Sequence, residues 1–272
     1  MGPIGVFDSG YGGLTILEEF QRQLPQYDYL YLGDNARTPY GNRSFKVVYE
    51  YTLEAVRYLL GSGCPLVILA CNTASAKALR SIQQNDLPRL SPESRVLGIL
   101  RPTVEAVGGI TLTGHVGLLG TQGTVQSGSY AIEIAKLHPD IRLTSLACPM
   151  WVPIVECGEY DSPGADYFVG KYLDRLFSAD PQIDTLILGC THYPLLLNQI
   201  RKHTPQGLNI ISQGPLVAES LADYLDRHPE IESRCSRKGQ TRYLTTESSR
   251  KFEEMASIFT RRDIAANQVS LV

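Results

Sequence analysis

The chain has 272 residues, 43% hydrophobic and 19% charged, with a formal net charge of −3. These values fit one or two globular units with an ample core, and they exclude the basic footprint of a nucleic-acid binder. No apolar run reaches the roughly 18 residues of a membrane span, and MGPIGVFDSG enters a strand pattern without the core of a signal peptide, so the cytoplasm is the expected compartment.

In chain order, short β-rich runs alternate with longer stretches at helical spacing. Strands are expected at 3–7, 27–32, 66–70 and 95–99, with helices at 14–23, 45–60 and 75–84. A second series follows, with strands at 115–120, 141–146, 185–189 and 208–212 and helices at 127–137, 165–178 and 194–202. Beyond it, 216–227 and 250–259 read as helices and 242–246 as a strand. This alternation predicts an α/β fold of mostly parallel sheets flanked by helices. The two series share a plan. VILACNTASA (67–76) and LILGCTHYPL (186–195) each run from an apolar strand through a small residue, Cys and a polar residue into a helix, and IGVFDSGYGG (4–13) matches VGLLGTQGTV (116–125) likewise. Two similar lobes are therefore expected, 1–99 with 208–272 forming the first and 100–207 the second, with the active site in the cleft between them.

Ligands of open α/β sheets bind at the carboxyl ends of strands, and the polar motifs fall there. Six cysteines are present, none in a C-x-x-C pair, which leaves a zinc ribbon or thioredoxin-like site unsupported. Cys71 and Cys190 stand at matched strand ends. A lone cysteine there is ordinarily an apolar filler; two, flanked by Asn72, Thr73, Thr191 and His192, point to reactive thiols. A thiol at a helix N-terminus is expected to have its pKa lowered from about 8.5. A C-x5-R phosphate loop would need Arg where Lys77 stands, and a dinucleotide-binding G-x-G-x-x-G would need Gly where Thr15 stands. The glycines at 10, 12 and 13 are instead expected to let the backbone approach an anionic ligand. Asp8 ends an apolar strand, where it either caps or acts. Glu156 alone reads as a solvated carboxylate, and His192 alone as a structural histidine.

Taken together, GVFDSGYGGL (5–14), GDNARTPYGNRS (33–44), ACNTASA (70–76), GLLGT (117–121), CPMWVPIVECG (148–158) and LGCTHYPLL (188–196) closely resemble the glutamate racemases of the aspartate/glutamate racemase superfamily. The resemblance implies a cofactor-independent, metal-free, two-thiol racemisation that supplies D-glutamate for peptidoglycan. Cys71 resembles the thiol that deprotonates D-glutamate and Cys190 the one that deprotonates L-glutamate. Asp8 resembles a helper of Cys71 and His192 a helper of Cys190, with Glu156 assigned to either. Ser9, Pro39, Tyr40, Gly41, Asn72, Thr73, Thr121 and Thr191, with Asp8 and His192, resemble the substrate-contacting set. A glutamate substrate and a homodimer are implied, with no nucleic-acid or membrane partner. Pyridoxal chemistry would need a Schiff-base lysine, and none stands in these blocks. The rival readings are an aspartate racemase, a non-catalytic amino-acid-binding protein on the same fold, and a cysteine hydrolase, which the paired thiols disfavour.

Overall fold

The computed structural model describes residues 1–271. Among them, ten strands form two all-parallel sheets. In chain order they are β1 (Ile4–Asp8), β2 (Tyr29–Gly33), β3 (Leu66–Leu69), β4 (Arg95–Gly98), β5 (His115–Gly120), β6 (Arg142–Ala147), β7 (Thr185–Gly189), β8 (Asn209–Ile211), β9 (Thr241–Thr245) and β10 (Ala266–Gln268). The first sheet has the order β10-β9-β2-β1-β3-β4 and the second β6-β5-β7-β8. Helices cover both faces, and β1, β2, β3 and β7 are buried along their whole length. That is why they read as unbroken apolar runs rather than alternating ones.

The order β2-β1-β3-β4 recurs as β6-β5-β7-β8, so the two sequence series have become two sheets of the same topology. In each, the connection changes side next to the first strand, between β1 and β3 and between β5 and β7. That is the switch point at which doubly wound sheets open a crevice at their carboxyl ends.

Two expectations need correction. The strand near 208–212 does not return to the first sheet: β8 pairs with β7, with Ile211 beside Ile187. A first lobe that resumes at 208 therefore takes in a strand of the second sheet. The return comes with β9, which pairs along β2 from Tyr29↔Thr241 to Gly33↔Thr245. The helix expected at 127–137 is present but begins at Ser129, because Gly128, with a φ of +67°, separates it from a short preceding helix, Gln122–Gln126, that the sequence had not shown. No helix of the described residues is long and apolar enough to cross a membrane.

Candidate active site

The carboxyl ends of the four strands at the two switch points supply the polar centre. β1 ends in Asp8 and runs into Ser9, and β3 is followed by Ala70 and Cys71. β5 is followed by Thr121 and β7 by Cys190. A cleft opens between these ends. Ser9, residues 38–42, Cys71, Asn72 and Thr73 line it from the first sheet's side. Thr121, Gln122, Pro149, Val152, Pro153, Cys190, Thr191 and His192 line it from the other. The structure thus brings eleven of the thirteen expected site residues to the cleft wall. Asp8 and Glu156 stand behind it.

Cys71 caps the helix Asn72–Lys77, accepting from the Ala74 N–H at 3.5 Å, and its Sγ lies 3.2 Å from Ser9 Oγ. It is 6% exposed. Burial, reinforced by the charge of Asp8, pushes its pKa up to about 12. The lowering expected from the helix terminus is therefore outweighed. Capping and the Ser9 hydroxyl favour the thiolate, but removal of water costs it more.

Cys190, also 6% exposed, has its Sγ 3.9 Å from His192 Nδ1, while His192 Nε2 lies 3.1 Å from Glu156 Oε1. Burial opposes an imidazolium at His192. Hydrogen bonds with Cys190 and Glu156 overcome it and push the His192 pKa up to about 10. Glu156, which could have served either thiol, is thus bound to the Cys190 side. It ends a short helix, Trp151–Glu156, that the apolar run at 148–158 had not revealed. The ring of Phe259, from the helix Ser249–Thr260, stands edge-on to His192 at 5.3 Å between centroids, so the C-terminal segment reaches the site.

Asp8 is 1% exposed; its Oδ1 accepts from the Gly10 N–H at 2.8 Å, and its Oδ2 has no hydrogen-bond partner. Burial raises its pKa against the opposing pull of His192 and of the Gly10 and Gly13 N–H groups. A carboxyl in that state is poised to hold a proton.

The remaining wall is cross-linked by hydrogen bonds. Thr73 and Thr121 hydroxyls meet at 2.9 Å across the cleft, and Thr121 caps the helix Gln122–Gln126 by accepting from the Thr124 N–H at 3.2 Å. Tyr40 donates to the buried Asp34 carboxylate, and Asp34 also holds Arg37 at 2.7 Å, fastening the loop that carries Pro39 and Gly41. Asn72 donates to Gln213 Oε1 at 2.6 Å and accepts from Tyr130 OH at 2.8 Å. Gln213 in turn donates to Thr103 Oγ1 at 2.8 Å and Tyr130 OH at 2.9 Å. The glycines after β1 also have a use that the sequence had not shown. A Cβ on Gly12 would stand 2.6 Å from His192 Nδ1, and one on Gly13 would stand 2.5 Å from Asp8 Cβ. Gly12 lets the first lobe pack against the turn that carries His192, and Gly13 lets its own backbone pass Asp8.

Among the described residues no group of three or more His, Cys, Asp or Glu side chains could hold a metal ion. Sequence reasoning missed Thr38, Asn42, Gln122, Pro149, Val152 and Pro153 on the wall, and Gln213 and Tyr130 behind it. All but Tyr130 and Gln213 lie in or beside the motif blocks.

Residues 12–221 match the family described as Asp/Glu/Hydantoin racemase. The chain belongs to that family. Relatives within it include the glutamate racemase of Persephonella marina, 39% identical over 98% of this chain and 97% of that one. That of Oceanobacillus iheyensis is 40% identical over 93% and 89%. Among solved structures, a glutamate racemase isoform of Bacillus anthracis superposes with a TM-score of 0.90 at 35% identity, over 99% of this chain and 98% of that one. The Francisella tularensis glutamate racemase, solved with D-glutamate, gives a TM-score of 0.88 at 30% identity, over 99% and 98%. The racemase family's two-sheet α/β architecture is thus that of this chain.

Proposed function

We infer that this chain interconverts L- and D-glutamate without a cofactor, with Cys71 and Cys190 as acid and base on opposite faces of the α-carbon. One observation carries the reading: two buried thiols at topologically matched strand ends open onto one cleft. Membership of the family, and relatives named glutamate racemase along nearly the whole chain, support glutamate as the substrate.

From D-glutamate, the Cys71 thiolate takes the Cα proton and the C–H electron pair passes to the α-carbon and its carboxylate. The Cys190 thiol then delivers its proton to the other face. L-Glutamate leaves, Cys71 is a thiol and Cys190 a thiolate; the reverse reaction starts from that state, and no net proton or electron is consumed. Holding both groups at the α-carbon makes each transfer effectively unimolecular. Ser9, Asn72, Thr73, Thr121 and Thr191 offer the hydroxyl and amide donors that stabilise the developing carbanion. Pro39, Tyr40 and Gly41 shape the wall against which the substrate lies. Asp8, buried with one free oxygen, accepts the proton that Cys71 sheds as its thiolate forms. The Glu156–His192 pair stabilises the thiolate of Cys190.

With this activity we propose a supply of D-glutamate to peptidoglycan in the cytoplasm by a homodimer. We divide each protomer into a first lobe built on β1–β4 with β9 and β10, and a second built on β5–β8. The test is incubation of the wild-type protein with L-glutamate, and separately with L-aspartate, with no added cofactor and a chiral readout. Glutamate should approach an equal mixture of enantiomers. Turnover of aspartate alone would overturn the substrate assignment, and turnover of neither would overturn the catalytic reading.

A further inference from the structure

The cleft wall contains no lysine or arginine; its one cationic side chain, His192, is engaged by Glu156. Glutamate brings two carboxylates into this wall, and anions removed from water need either donors or an opposite charge nearby. An opposite charge lies directly behind it. Lys77 ends the helix that Cys71 begins, and the residue is 9% exposed. Its Nζ donates to the Arg43 carbonyl at 2.7 Å, and among the described residues no carboxylate pairs with it. A Cβ on Gly123 would stand 2.9 Å from Lys77 Nζ and 2.9 Å from the Gly41 carbonyl oxygen, which itself accepts from the Gly123 N–H at 2.7 Å. The ammonium, Gly41 and Gly123 therefore form one knot that ties the two lobes together. Gly41, Thr121 and Gln122, beside that knot, face the cleft.

A secluded ammonium whose one partner among the described residues is a carbonyl is poorly compensated. We propose that Lys77 is a positioning residue that supplies the counter-charge for a substrate carboxylate bound against the Gly41–Thr121 wall. The charge acts through the intervening backbone without touching the substrate. The proposal rests on glutamate being the substrate, and it goes further by naming where the site's missing cation stands.

The test is steady-state kinetics of wild type, Lys77→Met, Lys77→Gln and Lys77→Arg with both enantiomers. Lys77→Gln keeps a donor for the Arg43 carbonyl but no charge. Loss of one unit charge at this remove should raise KM roughly tenfold in the Met and Gln variants for either enantiomer. kcat should stay within about twofold, because the counter-charge serves the side-chain carboxylate, whose charge is the same in ground and transition states, whereas the α-carboxylate gains charge as the proton leaves. Lys77→Arg should remain close to wild type. A Gln variant with wild-type KM would show that the lysine is only a strut, and so would an Arg variant as weak as Met. A fall in kcat at unchanged KM would equally overturn the proposal. If Lys77→Met fails to fold, the Gln variant decides. An inactive wild type would instead overturn the glutamate reading itself.

Discussion

Gly12 offers a perturbation whose outcome can be worked from geometry. Its φ is not in the left-handed region, so alanine meets no backbone penalty there, and only space decides. The added Cβ would lie 2.6 Å from His192 Nδ1 and 2.9 Å from Thr191 Cβ, about 0.8 and 0.5 Å inside the 3.4 Å at which ordinary contact begins. Both atoms belong to the short buried turn after Cys190 and are held there by Glu156 and by Thr15, whose hydroxyl donates to the Thr191 carbonyl at 3.4 Å. The turn must move, and overpacking of this kind costs about 1–3 kcal/mol. A catalytic group displaced by nearly 1 Å loses on the order of 10²-fold in rate. Gly61→Ala is the control: it ends the helix Phe45–Gly61, its Cβ would meet nothing within 4 Å, and it should stabilise by about 0.4–1 kcal/mol. Urea unfolding and chiral rate measurements on both variants check the pair. A Gly12→Ala protein with the stability and rate of wild type would refute the close-packed turn.

Glu156→Gln should lower the His192 pKa from about 10 by roughly 1–3 units, read by NMR titration of the imidazole. The folded pKa lies above the unfolded one near 6.5, so the stability this residue contributes is complete below about pH 6.5 and is lost as pH rises through 10. The wild-type advantage over the variant should fade over that window, and a histidine that titrates near 6.5 in both proteins would contradict it. Gln213→Leu strands the Asn72 amide and the Tyr130 hydroxyl in a buried network, and should cost about 1–3 kcal/mol in urea unfolding. An unchanged midpoint would mean that the network carries no stability. In the unliganded protein at pH 8, iodoacetamide should label the exposed Cys157 well before Cys71, whose pKa is held up near 12. Equal rates by mass spectrometry would show that Cys71 is already a thiolate at rest.

Much of the fold could be read because burial writes itself into residue type. The core strands are flanked on both faces by helices, so they appear as unbroken runs such as LVIL at 66–69 and TLILG at 185–189. The site was legible for a related reason: polar residues placed directly after such runs have few structural uses. What stayed hidden depends on partners distant in sequence. Gln213 reads as an ordinary residue at a helix start, yet it locks Asn72 from 141 positions away. The chain-end order of β8 and β9 was misjudged because strand propensity says nothing about which sheet accepts a strand. Glycine at 12 signals tight space, but not whether a ligand or the His192 ring fills it. Cys71's helix-capping position is visible in sequence, whereas the desolvation that overrides it is a property of the closed cleft.

The central claim is that Cys71 and Cys190 serve opposite faces of one substrate. The most direct test is α-proton exchange of each glutamate enantiomer in D2O by wild type, Cys71→Ser and Cys190→Ser. The account predicts that wild type exchanges and inverts both enantiomers, that neither variant inverts, and that any residual exchange in Cys190→Ser is confined to D-glutamate and in Cys71→Ser to L-glutamate. Inversion that survives at near wild-type rate in either variant would contradict it.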